Sequence, residues 1–155
     1  MKRLWMVFSL LWGLLLLTGC QETETASLPS PYEGVNELAG LTSSISNSSA
    51  VETGIIIIYD NQTDREFTYG EPFVIEEQIG GSWYQISYLD EDGVAFIEIA
   101  YLLPAGEDRE WRVSWSNIYG PLDSGDYRLV KEFIGVEDDA SYHRVYPVAT
   151  EFKVE

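Results

Sequence analysis

Cysteine is almost missing from this sequence: Cys20 is the only one. No intramolecular disulfide can form, so any folded domain is held by its apolar core alone. Histidine is as scarce, with His143 alone, and one His with one Cys does not make a zinc site. No cofactor is implied. Positive charge is the third shortage, because 9 lysines and arginines face 26 aspartates and glutamates, a net charge of -17. An acidic surface of this size repels phosphate backbones and anionic headgroups, which excludes a nucleic-acid partner. Long helical periodicity is missing too, and a permanent membrane-spanning helix is disfavoured. The longest apolar run, residues 4–17, is broken only by Ser9 and Gly13 and would rise only about 21 Å as a helix, against roughly 30 Å of hydrocarbon.

That run follows Lys2 and Arg3, the basic start of a secretory signal, and ends in Leu17-Thr18-Gly19-Cys20. The four residues resemble a bacterial lipobox, in which a small residue and Gly precede a Cys that is lipidated and becomes the mature N-terminus. The resemblance implies a signal peptide over residues 1–19, diacylation of Cys20, and a chain anchored by lipid to the outer face of the cytoplasmic membrane. Loss of Lys2 and Arg3 would leave the mature chain at -19, two charges below -17. Residues 20–50 are then the lipidated Cys and a flexible tether, rich in Ser, Thr, Glu, Gly, Pro and Asn and poor in groups to offset the entropy of ordering. Near-helical spacing of Val35, Leu38, Leu41 and Ile45 leaves a short docked helix open.

From residue 51 to 155 the pattern is β. Ile55-Ile56-Ile57-Ile58-Tyr59 is a β-branched run of the kind buried on both faces or nearly so. Asp60 to Asp64 is a turn cluster, and a short strand follows at residues 66–69. Phe73, Ile75 and Ile79 lead to Gly80-Gly81, a two-residue hairpin turn in which both positions favour positive φ. The return strand at residues 83–88 carries Trp83, a candidate for the central core Trp of a sandwich. Ala95, Ile97 and Ile99 alternate with Phe96 and Glu98, and Trp111, Val113 and Trp115 alternate with Glu110, Arg112 and Ser114. Tyr146, Val148, Thr150, Phe152 and Val154 alternate in the last strand. Seven to eight short strands joined by turns predict an all-β immunoglobulin-like sandwich.

Leu122-Asp123-Ser124-Gly125-Asp126-Tyr127 places a turn directly before a Tyr at the mouth of a strand. This is the layout of a tyrosine corner, with Leu122, Gly125 and Tyr127 as its structural residues and the hydroxyl expected to bond backbone near Leu122. Together with Asp60-Asn61-Gln62-Thr63, Glu66-Phe67-Thr68-Tyr69-Gly70, Trp83-Tyr84 and Leu103-Pro104-Ala105-Gly106-Glu107, the corner resembles bacterial immunoglobulin-like domains on exported lipoproteins of Gram-positive bacteria. The resemblance covers about residues 54–134, and it departs from the family where Ser124 stands in place of a frequent Pro. It implies a fold and a location, and no catalytic residues.

The residues themselves offer little chemistry. His143 follows Asp138, Asp139 and Ser141 on one loop, which is not the geometry of a catalytic triad. The acidic clusters at residues 90–92, 107–108, 123 with 126, and 137–139 lack the spaced ligand order of a calcium loop, so no metal is expected. Tyr84, Tyr88, Tyr101, Tyr119 and Tyr142 are the candidates for an exposed aromatic patch, while Trp83, Trp111 and Trp115 fit inward positions. The expected function is a non-catalytic binding module with an unknown protein or wall ligand as partner. The alternatives are an inhibitor of an extracellular enzyme or a carbohydrate-binding module.

Overall fold

The computed structural model describes residues 28–46, 52–90, 93–136 and 143–155. Among them no residue is helical. The strands, in chain order, are β1 (Leu28–Pro29), β2 (Leu41–Ile45), β3 (Gly54–Asn61), β4 (Phe67–Tyr69), β5 (Val74–Ile79), β6 (Ser82–Gln85), β7 (Tyr101–Leu103), β8 (Asp108–Ser114), β9 (Gly125–Val136) and β10 (His143–Val154). They form two antiparallel sheets, as expected of a sandwich. The smaller has the order β2-β3-β8, and the larger runs β1-β6-β5-β9-β4-β7 with β10 along the other edge of β9.

The core lies where the two inner faces meet. Ile55, Ile57 and Tyr59 of β3 and Trp111 and Val113 of β8 face inward, and Trp115 is fully buried just past β8. Across from them stand Tyr127, Leu129 and Phe133 of β9 and Tyr146, Val148, Phe152 and Val154 of β10. Each such side chain contributes about 1.5–3 kcal/mol by leaving water, which is how the domain holds without a disulfide. Edge-to-face contacts knit the layers, Tyr59 on Phe133 at 4.9 Å and Phe73 on Trp111 at 5.6 Å between ring centres. The run at Ile55–Ile58 is less symmetrical than its composition suggests. Ile55 and Ile57 are buried, whereas Ile56 and Ile58 on the other face are half-buried.

At the corner, the Tyr127 hydroxyl donates to the Asp123 carbonyl at 2.9 Å, one residue beyond Leu122. The ring lies against Gly125, where a Cβ would come within 3.0 Å of it, and stacks on Phe152 at 5.7 Å. Leu122 is buried, and its N–H donates to the Glu52 carbonyl at 2.9 Å.

Three expectations change. The sandwich does not begin at residue 51, because residues 28–46 are built into it. β1 pairs with β6, and β2 pairs with β3 with Leu41 only 1% exposed. Polar groups do what apolar burial could not: the Asn36 amide accepts from the Ala149 N–H at 2.9 Å and donates to its carbonyl at 3.1 Å, closing the free edge of β10. Nor is the segment around Leu41 and Ile45 a helix. The part of the expected tether at residues 20–27 and 47–50 lies outside the described residues.

Trp83 is the second change. The Gly80-Gly81 turn forms with both φ positive, at 60° and 86°, and sets Trp83 opposite Gln78 and Gln85 opposite Glu76. That register puts Trp83 on the outer face of the sheet, so Trp111 and Trp115 supply the core indoles. The third is the expected strand at residues 95–99, which does not form. The Ile99 N–H closes on the Ile97 carbonyl at 3.0 Å, a three-residue turn that breaks the period. Phe96 alone packs inward, edge-on to Phe73, and Ile97 and Ile99 are exposed.

Candidate functional site: the outer face of the larger sheet

β4 and β5 run as one interrupted strand along β9. Val74 pairs with Val130 and Tyr69 with Phe133, so residues 70–73 bulge opposite Lys131 and Glu132. From β1 the N-terminal segment crosses the outer face of this sheet, from the β6 edge to Asn36 at the β10 edge. It divides that face in two.

Under the strap, Arg128 of β9 pairs with Glu76 of β5, Nε to Oε2 at 2.6 Å. The guanidinium also donates to Ser30 Oγ at 3.2 Å and lies 4.5 Å over the Trp83 ring. Glu76 is fully buried and Val130 beside it is too. The second oxygen, Glu76 Oε1, has no hydrogen-bond partner among the described residues.

Beyond the strap no described segment crosses the face. Cross-strand pairing sets Leu102, Thr68, Ile134 and Val145 in one row over β7, β4, β9 and β10. Directly paired residues share a face, so the row is a stripe about 15 Å across, three aliphatic side chains with Thr68 between Leu102 and Ile134. Leu102 is 46% exposed, Ile134 40% and Val145 46%.

At the seam between the halves lies a groove of about 320 Å³, walled by Tyr32 of the strap, Pro72 of the bulge, Tyr88, and Glu132 and Ile134 of β9, with Phe73 and Val130 also lining it. Burial and the Glu132 and Glu76 carboxylates hold the Tyr32 hydroxyl protonated well above the usual phenol range, and it hydrogen-bonds Glu132. A second hollow of about 230 Å³ continues past Val74 and Tyr88 to Leu28 and Tyr119.

On the inner face, Lys131 is fully buried with its ammonium 3.6 Å over the Trp111 ring and bonded to the Glu71 carbonyl at 3.0 Å. Burial lowers its pKa to about 7, only partly offset by the Glu71 carboxylate. Burial, with the carboxylates of Glu77 and Asp123, pushes the Tyr127 hydroxyl up to about 12.

The residues singled out in the sequence fall elsewhere. Cys20 lies outside the described residues, as do Asp138, Asp139, Ser141 and Tyr142. His143 is exposed at the start of β10. Among the described residues no three His, Cys, Asp or Glu side chains converge on a metal position. Asp126 faces Lys153 at 3.7 Å, and Glu107 pairs with Arg109. Of the candidate aromatics, Tyr88 lines the groove, Tyr84 and Tyr101 are half-buried, and Tyr119 is a core residue. Its hydroxyl accepts from the Ile75 N–H at 3.3 Å and donates to the Phe73 carbonyl at 3.4 Å. Tyr32, Glu132 and Ile134 were not singled out; the outward series Arg128, Val130, Glu132, Ile134 alternates charged and apolar residues, which gives no signal of a site.

A search of curated proteins returns no match. A family model described as a bacterial Ig-like domain matches residues 36–153, so it includes Asn36, β2 and the last strand. Domains of this family are generally non-catalytic. With its two antiparallel sheets and a match over most of its length, the chain belongs to the bacterial Ig-like domain family.

Proposed function

We propose that the protein is a lipid-anchored, extracytoplasmic binding module that engages a partner protein through the bare half of its larger sheet. The observation that carries this reading is the row of Leu102, Ile134 and Val145, aliphatic side chains left 40–46% exposed on a regular strand surface. The leader and the Leu17-Thr18-Gly19-Cys20 ending support the anchor. Since the sandwich takes in residues from Leu28 on, the link from Cys20 spans at most roughly 25–30 Å, and the domain stands close to the bilayer. Its acidity disfavours anionic headgroups and wall polymers and favours a basic or neutral protein.

Two measurements test it. Cells fed a radioactive fatty acid label the wild type, while Cys20→Ala stays unlabelled and is released; equal labelling of both ends the anchor. Crosslinking on live cells followed by pull-down captures a partner whose retention weakens as salt rises. Cleavage of a substrate by the purified chain, with nothing captured, overturns the non-catalytic reading.

A further inference from the structure

We infer that the groove between Tyr32, Pro72, Tyr88 and Glu132 is a binding site for an organic cation with an apolar body, an alkylammonium or alkylguanidinium group. This rests on the binding-module reading and gives it a recognition chemistry.

The lining sets the ligand class. Three aromatic residues, Tyr32, Phe73 and Tyr88, and the apolar Pro72, Val74, Val130 and Ile134 form most of the wall, and Glu132 is its one charged residue. No lysine or arginine lines it. Of the two buried cations on β9, Arg128 is held by Glu76 and Ser30 and Lys131 by the Glu71 carbonyl on the inner face. An anion would meet Glu132 with no counter-charge, and a neutral apolar ligand would leave the negative charge unpaired, because the Tyr32 hydroxyl gives the carboxylate a hydrogen bond and no counter-charge. A cation satisfies the carboxylate with its head, lays its carbon stem along the apolar wall, and gains from the rings. Net charge adds long-range attraction for the same sign of ligand. The fold already sets one of its own cations against a ring this way, Arg128 over Trp83.

Placement adds a second argument. The groove forms only because the strap brings Tyr32 over β9 and because residues 70–73 bulge out of the β4–β5 line. Bulges recur beside binding sites, where they re-aim side chains out of the sheet. The volume, about 320 Å³, suits one long side chain or a small amine. Ile134 belongs to both the groove and the bare row, so a protein docked on the row could place a lysine or arginine directly into the groove.

The test is calorimetric titration of the full chain in detergent with butylammonium chloride, with sodium butyrate and butanol as matched probes. Butylammonium is expected to saturate, with butanol and butyrate at least fivefold weaker, and Glu132→Gln is expected to weaken butylammonium about fivefold with an unchanged melting temperature. A second variant, Tyr88→Leu, keeps the apolar wall and removes a ring, and is expected to weaken the cation and leave butanol unchanged. Two arms separate the sources. A lysine-bearing hexapeptide that binds more than tenfold tighter than butylammonium assigns the groove to a partner's side chain, and equal affinities assign it to a free amine. Butanol binding as tightly as butylammonium, no effect of Glu132→Gln, or no saturation at all overturns the inference. If that occurs while cells still show a captured partner that Leu102→Lys abolishes, the binding-module reading stands and only the cation site falls, because Leu102 does not line the groove.

Discussion

One strand carries two different outer surfaces. Along β9, Arg128 and Val130 are buried beneath the strap, and two residues later Glu132 and Ile134 face solvent. Both halves have the same backbone, the same partner β10 and a similar mixture of charge and apolar groups. The strap is the difference. Where it crosses, a carboxylate and a guanidinium are sealed into a pair at 2.6 Å; where it has passed, the apolar row stays open. Among the described residues a dedicated segment covers one half of the sheet and leaves the row beside it exposed, and that row is the surface proposed for a partner.

Breaking the covered half gives the largest effect. Glu76→Ala leaves Arg128 buried without its partner and is expected to lose about 3–5 kcal/mol in urea denaturation, whereas a Glu76→Met, Arg128→Met double variant recovers most of it. A smaller effect comes from the inner face of the same strand, where Lys131 is buried without a carboxylate in contact. Its folded pKa, about 7, lies below the ordinary lysine value of 10.5, so between those pH values the unfolded chain binds the extra proton and stability rises with pH. Wild type is expected to gain about 1–2 kcal/mol from pH 7 to 9, and Lys131→Met to show no such rise. Above about pH 10 the sign reverses, because Tyr127, raised to about 12 in the fold, ionises first in the unfolded chain. Smaller again is Tyr127→Phe, which removes one hydroxyl bond to the Asp123 carbonyl and is expected to cost about 1 kcal/mol of unfolding free energy.

Much of this was legible in the residues. The alternation of Trp111, Val113 and Trp115, the Gly80-Gly81 turn and the corner at Tyr127 each act over a few residues, where local sterics and period-2 burial decide the outcome. The strap was not legible. It holds through contacts about a hundred residues away in sequence, such as Ser30 to Arg128 and Asn36 to Ala149, and composition alone reads such a segment as linker. The groove was missed for the same reason, since Tyr32 joins it only once the strap has crossed the sheet. Ile97 and Ile99 alternate like a strand and make none, because the Ile99 N–H turns back on the Ile97 carbonyl and only Phe96 packs inward.

The bare row is tested most directly by Leu102→Lys. Leu102 is 46% exposed on the edge strand β7, so the unfolding free energy of the variant is expected to stay within about 0.5 kcal/mol of wild type. In live-cell crosslinking the same variant is expected to lose its captured partner at least tenfold, since the substitution places a cation in the apolar stripe facing a basic or neutral surface. Undiminished capture by a folded Leu102→Lys chain would contradict the assignment of the bare half as the recognition surface.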